Sequence, residues 1–282
     1  MTPRFNTVLI VLLALFGLPY YWLLVDNRPG TPEPKPVAIA QLRKLADAQP
    51  GPPPVAIQYE AVAWEGSMRN IHAAGLGLVR EKFYSLAFRL DRAELPPILI
   101  GTGISEDTAR RQGYHEYRKR AQARIDATLG RADAAILLSA GPKQRDGLVS
   151  FRRSHPHTGP AAIDVEDSRA AGGPYAVAPG VVVIPATSFR SDAQLAYVKL
   201  ASGREYLFLG SLSPSRWNVA DMRAPSRWIT DIYGGVDRAE TYSWLQTVRL
   251  LKRQAPSLVL VPGGRVPKSS GLQRGFPGSD AK

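Results

Sequence analysis

Apolar runs and mixed runs alternate along residues 55–264, and this alternation predicts an α/β domain. Residues 55–64 and 82–90 are rich in apolar and aromatic side chains and predict strands. Shorter, nearly continuous apolar runs are typical of buried strands, and they occupy residues 96–103, 133–139, 180–186 and 257–264. The clearest local prediction is a hairpin, in which the turn 201–204 joins two β-rich runs at 194–200 and 205–211.

Three helices are predicted between these strands. Residues 105–129 suit one helix, with Ser105 as its N-cap and Gly130 just past its end. A second helix starts near Gly147. The third, residues 237–254, is amphipathic, and its apolar face carries Tyr242, Leu245, Val248 and Leu251.

The N-terminal stretch has a different pattern. Residues 8–25 contain no charged side chain, and at helical rise they span about 27 Å, close to the thickness of a bilayer's hydrocarbon core. We therefore predict an uncleaved signal anchor over residues 1–25, with residues 8–25 in the lipid bilayer. A cleaved signal peptide is the alternative, but the nearest suitable site, Ala38-Ile39-Ala40, lies too far downstream.

The sequence does not determine which side of the membrane the domain occupies. Basic residues lie on both sides of the span, so the positive-inside count does not decide. We place the domain on the extracytoplasmic (periplasmic) side. Residues 26–54 predict a proline-rich linker with one short amphipathic helix, which lies either on the bilayer or on the domain. Residues 55–268 form the predicted domain, and residues 269–282 a frayed polar tail.

Composition limits the chemistry. The net charge of +12 favours anionic partners, and the absence of cysteine excludes disulfides and thiolate metal sites. Only four histidines are present: His72, His115, His155 and His157. A zinc site without cysteine leans on histidine, so this scarcity restricts any zinc hypothesis. Nucleic acid is not an expected partner, because no motif for binding it is recognisable.

The order of elements resembles the metallo-β-lactamase fold from about Val55 to about Pro267. PPILIGTGIS is similar to the family's ILIDTG phrase, and DAAILLSAGPKQRDGL to its strand followed by H-x-H-x-D-H. The stretch VVVIPATSFRSDAQLAYVKLASGREYLFLGS is similar to the P-G-H-T-P-G-x-Q segment with its hairpin and GD. SLVLVPGGRVPK resembles the strand that ends in P-x-H-D-P. The resemblance implies a four-layer αββα sandwich, with metal ligands on loops at one edge.

The positions that match the family's metal ligands carry other residues. They are Ala140, Pro142, Gln144 and Arg145 in the H-x-H-x-D-H phrase, Phe189 in P-G-H-T, Ser211 after Gly210, and Gly264 in the last motif. Arg265 stands for the neighbouring Asp, and Gly101 for the Asp of ILIDTG. Alanine, proline, phenylalanine and glycine offer no side-chain donor to zinc, and arginine would repel the ion. We therefore expect no zinc cofactor at these positions.

Other chemistry-bearing residues are better explained as structure. His155 and His157 are spaced for a shared metal, but nothing nearby completes a set, and His72 suits a loop. The acidic residues Asp164, Glu166 and Asp167 suit a solvated loop. The serines 139, 188 and 211 lie in no nucleophile elbow.

The basic residues around the former metal loops suggest a different site. Lys143, Arg145, Arg190 and Arg265 would approach one cleft in this fold and could bind an anion without metal. We therefore predict a non-catalytic binding or scaffolding protein at the membrane, with an anionic small molecule or a membrane protein as partner. The alternative is a hydrolase of the same superfamily with non-matching ligands. A third hypothesis is a basic module that binds anionic lipid through helix 105–129.

Overall fold

The chain begins with a long apolar helix. The computed structural model describes residues 3–156 and 158–277. Helices α1 (Pro3–Leu12) and α2 (Leu18–Tyr20) are continued by π-helical turns at Leu13–Gly17 and Tyr21–Val25. Between Arg4 and Val25 the helix is long and apolar enough to cross a membrane, and its side chains are exposed. A signal sequence has the same character, so this helix is consistent with either interpretation.

The linker is attached to the domain. Its helix α3 (Ile39–Ala46) buries Ile39, Leu42 and Ala46 against the domain core. The Arg43 guanidinium donates two hydrogen bonds of 2.7 Å to the carboxylate of Glu205. The sequence left open whether this helix lies on the bilayer or on the domain. In the structure it lies on the domain.

Two mixed sheets form the centre of the molecule. The first has the order β11-β1-β2-β3-β4-β5 and the second the order β10-β9-β8-β7-β6. The strands are β1 (Ala56–Met68), β2 (Arg80–Asp91), β3 (Ile98–Ile100), β4 (Ala134–Ile136), β5 (Ala161–Ile163), β6 (Tyr175–Ala178), β7 (Val181–Pro185), β8 (Gln194–Lys199), β9 (Glu205–Phe208), β10 (Val259–Val261) and β11 (Gln273–Arg274). The predicted hairpin is β8–β9, paired antiparallel from Ala196↔Phe208 to Lys199↔Glu205.

The sheets pack face to face with helices outside. Phe88 of β2 contacts Phe208 of β9 edge-on, with ring centroids 4.8 Å apart, so the central core joins both sheets. The remaining helices are α4 (Arg69–His72), α5 (Glu106–Arg111), α6 (Lys119–Leu129), α7 (Pro142–Ser154), α8 (Val165–Ala171), α9 (Arg216–Ala220) and α10 (Arg238–Gln254). Helices α6 and α7 cover the first sheet, and α3 and α10 cover the second. The predicted α/β architecture is confirmed.

The single helix predicted over 105–129 is wrong. Ser105 does cap α5, because its hydroxyl accepts a hydrogen bond from the Thr108 amide, but the helix ends at Arg111. Gly113 (φ +70) and Glu116 (φ +50) then turn the chain, and the His115 backbone pairs with Trp64 of β1. Bonds to the strand edge replace the helical hydrogen bonds, and α6 begins only at Lys119.

The C-terminal segment is packed rather than frayed over residues 270–277. Strand β11 pairs with β1, and Phe276 is 3% exposed. The Phe276 amide donates a 2.8 Å hydrogen bond to the buried carboxylate of Glu60. The sequence did not predict this contact because the segment is mostly polar and only one aromatic residue, Phe276, packs against the domain. Residues 278–282 lie outside the described residues.

Candidate functional site

A cavity of about 350 Å³ opens at the edge of the sandwich where several strands end. Residues 139–144 follow β4 there, residues 189 and 190 follow β7, residues 210 and 211 follow β9, and residues 263 and 264 follow β10. Helix α4 and the segment 225–236 also contribute to the wall. The cavity therefore occupies the edge at which the family resemblance places the metal ligands.

Most positions matched to metal ligands line this cavity. Pro142, Gln144, Phe189, Ser211 and Gly264 all contribute to its wall. Ala140 is exposed beside it, and its backbone amide donates a 3.0 Å hydrogen bond to Asp192. The helix predicted to start near Gly147 begins at Pro142, so most of the residues matched to the H-x-H-x-D-H phrase lie in its first turn.

The wall does not suit a di-metal centre. Phe189 is 2% exposed and belongs to the hydrophobic core. At Gly264 an added Cβ would lie 2.7 Å from the Phe83 ring and 2.9 Å from the Pro214 carbonyl oxygen, so a side chain has no room there. Among residues 3–156 and 158–277, no three His, Asp or Glu side chains come together in a way that could hold a metal ion.

The four predicted anion-binding residues are not brought together. Lys143 and Arg190 line the cavity, and each is paired: Lys143 with Glu65, and Arg190 with Asp192 at 2.6 Å. Arg265 lines a neighbouring cavity and pairs with Glu81. Arg145 is exposed on α7.

His72, at the end of α4, lies in the cavity wall with a shifted pKa. Burial lowers the pKa of His72 to about 4, and the nearby Lys143 ammonium acts in the same direction. Its ring packs against Phe83, with centroids 4.1 Å apart. The Nε2 atom is buried without a hydrogen-bond partner, and so is the hydroxyl oxygen of Ser211. The wall thus contains a neutral imidazole and a hydroxyl whose polar atoms have no partner within the protein.

Sequence reasoning missed Glu65 and Tyr114. Glu65, near the end of β1, forms the ion pair with Lys143. Burial and the adjacent Glu65 carboxylate raise the pKa of Tyr114, which keeps its hydroxyl protonated. The sequence does show that Glu65 is a charged residue in a mostly apolar strand. It could not show the role of Glu65, because its partner Lys143 lies 78 positions away along the chain.

The remaining sequence candidates have local structural roles. His155 stacks on Phe151 at the end of α7, outside the cavity lining, and His157 lies outside the described residues.

The carboxylates of Asp164 and Asp167 accept backbone hydrogen bonds at the start of α8. The Ser188 hydroxyl accepts a 2.9 Å hydrogen bond from the Trp244 indole, and the Ser139 hydroxyl one of 3.4 Å from the Gly141 amide.

Comparison with known proteins gives similarity in structure alone. No protein family model matches the chain, and no curated protein sequence matches it. A quorum-quenching N-acyl homoserine lactone lactonase aligns with a TM-score of 0.60 at 13% identity, over 80% of this chain and 98% of the lactonase.

Two further structures are similar. An N-acyl homoserine lactone hydrolase, with N-hexanoyl-L-homoserine bound at its catalytic metal centre, aligns with a TM-score of 0.57 at 13% identity, over 75% of this chain and 94% of the hydrolase. A probable metal-dependent hydrolase from Staphylococcus aureus aligns with a TM-score of 0.50 at 10% identity, over 76% of this chain and 91% of the hydrolase. At these identities the likeness concerns architecture only. The chain has the metallo-β-lactamase fold.

Proposed function

We propose that the protein is a membrane-anchored binding protein whose cavity holds a small amphiphilic molecule without a di-metal centre. The observation that carries this proposal is the character of the cavity wall. It is open at the edge where relatives of this fold bind metal, yet its ligand positions carry Pro142, Gln144, Phe189, Ser211 and Gly264. An open cavity with few polar groups among apolar ones is typical of small-molecule sites.

One part of the wall suits a polar or anionic headgroup. An ammonium group has three donors, so the Lys143–Glu65 pair leaves donors free for a ligand. The Ser211 hydroxyl, which has no partner within the protein, adds another donor, and the Arg190 guanidinium keeps N–H groups beyond its pair with Asp192. A carboxylate bound here would satisfy buried polar atoms that otherwise lack partners.

The other part of the wall suits an apolar tail. Its side chains are aromatic or aliphatic, and they come from elements on both sides of the cavity: Ile71, Phe83, Phe189, Ile229 and Val236. Burying an alkyl chain among them would stabilise the complex by about 0.8 kcal/mol per CH₂ group. The proposed ligand is therefore an anion with a short hydrocarbon chain.

The exposed N-terminal helix supports the proposal that the chain remains anchored. The residues directly after it are fixed to the domain: the Arg238 guanidinium donates to the Asp26 carbonyl oxygen at 2.6 Å, and Tyr242 donates to the Asn27 side chain at 2.8 Å. The helix itself is also held by the domain, because the Leu24 carbonyl oxygen accepts a 3.0 Å hydrogen bond from the Gly75 amide, and this supports a chain that keeps the helix. We keep the extracytoplasmic side as the proposed location of the domain.

Hexanoate, a soluble anion with a short alkyl chain, tests the binding proposal. In the full chain reconstituted in nanodiscs, hexanoate is expected to raise the midpoint of thermal unfolding, because ligands of the native state stabilise it. Lys143→Gln should abolish the increase. Arg145→Gln is the matched control, since Arg145 lies on the same helix but is exposed outside the cavity lining. Equal shifts in all three proteins, or no shift in any, would overturn the proposal.

A hydrolase with non-matching ligands remains the second candidate. It is favoured by the likeness to lactone and metal-dependent hydrolases. It requires metal in the purified protein, which separates the two candidates directly.

A further inference from the structure

Large exposed apolar side chains cluster beside the end of the N-terminal helix. In the turn Trp228–Tyr233, the exposed fractions are 39% for Trp228, 59% for Ile232 and 72% for Tyr233. Leu78 and Val79, just before β2, are 56% and 52% exposed. The Ser226 amide donates a 3.0 Å hydrogen bond to the Ile71 carbonyl oxygen, so the segment before Trp228 adjoins α4, and exposed apolar side chains grouped in this way mark an interaction surface.

Both segments are attached to the residues that end the helix. The Gly75 amide donates a 3.0 Å hydrogen bond to the Leu24 carbonyl oxygen, which places the turn before Leu78 at the helix end. On the other side, the Arg227 guanidinium lies 4.0 Å from the centroid of the Trp22 ring and pairs with Asp26 at 3.3 Å. The exposed apolar groups therefore continue the surface of the helix.

We propose that Trp228–Tyr233, together with Leu78 and Val79, forms a second membrane contact that lies in the interfacial layer of the bilayer. This inference rests on the proposed membrane anchoring. A bilayer is the occupant that the continuity with the apolar helix favours. Trp and Tyr are the residues enriched at the level of lipid headgroups. Arg80 is exposed beside Val79, where it would meet lipid phosphates.

The contact would also orient the cavity. Ile229 and Pro225, from the same segment, line the cavity that we propose as the binding site. With Trp228 and Ile232 in the interface, that wall lies at the membrane surface. An amphiphilic ligand would then reach the cavity from the lipid phase, in which its hydrocarbon chain is soluble.

The absence of cysteine makes a direct test possible. Single substitutions Ile232→Cys, Leu95→Cys and Phe16→Cys in the full chain are labelled with a fluorophore sensitive to polarity. The proteins are then reconstituted in vesicles that contain lipids with a quenching spin label. Leu95 is the control, because it is 41% exposed and lies beyond the other end of β2. Strand β2 spans roughly 36 Å between Arg80 and Asp91, and Leu95 follows its far end. Phe16 reports on the anchor itself.

The label at position 232 is expected to be quenched about threefold more strongly than the label at position 95, as for a side chain inserted at the interface. Quenching at 16 but not at 232 would overturn this inference and leave the anchor in place, and would indicate that the patch binds something other than lipid. A label at 16 that is not quenched would overturn the proposed anchoring, and this inference with it.

Discussion

At the scale of single residues, the positions matched to metal ligands differ in the space that each leaves for a side chain. A missing donor could be introduced by a single substitution wherever there is room. At Gly264, however, the space for a side chain is taken by the Phe83 ring and the Pro214 carbonyl oxygen. At Ala140 the chain is exposed and a larger side chain has room. Gly264 therefore lacks the space that a metal-binding side chain would need, whereas Ala140 has it.

This difference predicts unequal costs for reintroducing histidine. Gly264→His should lower the free energy of unfolding by about 3 kcal/mol or more, because backbone and core must shift to admit the ring. Ala140→His should change it by less than about 0.5 kcal/mol, as for an exposed site. Urea unfolding of both variants measures these values. Similar stabilities for the two would show that the space at Gly264 is not closed.

The buried imidazole of His72 predicts a loss of stability in acid. Its folded-state pKa is about 4, below the value of about 6.5 in the unfolded chain. Above pH 6.5 both states are neutral, so the group has no effect. As the pH falls from 6.5 to 4, only the unfolded state takes up a proton, and stability is lost by up to about 3 kcal/mol.

His72→Gln should remove this part of the pH dependence. The carboxylates titrate in both proteins, so their effect cancels when the variant is subtracted from the wild type. The measurement is therefore this difference in unfolding free energy, taken at pH 7 and again at pH 4.5. Parallel pH profiles for the two proteins would rule out a lowered pKa of His72 in the folded state.

At the scale of elements, an ion pair holds the linker helix α3 to the domain in addition to its buried apolar face. Arg43 reaches the carboxylate of Glu205, which is only 5% exposed and also accepts a hydrogen bond from Tyr197. The Arg43 guanidinium lowers the pKa of Glu205 and keeps it ionised. Without arginine, a buried charge would lack its main partner.

Arg43→Met is therefore expected to lower the free energy of unfolding by about 1–3 kcal/mol, a range reduced because Arg43 is itself partly solvated. It should also speed proteolysis in the linker. Lys44→Met is the control, since Lys44 is exposed on the same helix. An effect of equal size in both variants would mean that the pair does not hold the helix.

The elements predicted from sequence are those with local signals. The β8–β9 hairpin has its turn residues, and α10 has Asp237, whose carboxylate caps the helix by accepting from the Glu240 amide. The break before α6 escaped prediction because it arises from a pairing of His115 with Trp64, 51 positions away along the chain. Strand β11 escaped for the same reason, since its partner is β1.

At the scale of the whole molecule, the fold was easier to predict than the lining of the cavity. The positions matched to metal ligands lie on loops that follow β4, β7, β9 and β10. The order of the strands brings these loops to one edge of the sandwich, so the matched positions predicted much of the cavity wall. His72, Glu65 and Tyr114 come from elements without a matching motif. Arg145 and Arg265 were wrongly expected to line the cavity because the sequence does not show the direction in which a side chain points. That direction is set by the packing of the surrounding residues.

We infer that this domain has the metallo-β-lactamase fold but no metal centre at the edge where the cavity opens. The most direct test is the metal content of the full chain, expressed with added zinc and iron, purified without chelator and measured by plasma mass spectrometry. We predict well under about 0.1 metal ions per chain and the same melting temperature with or without chelator, because the wall offers no set of donors. A content of about two zinc or iron ions per chain, as in two-metal sites, would contradict the account.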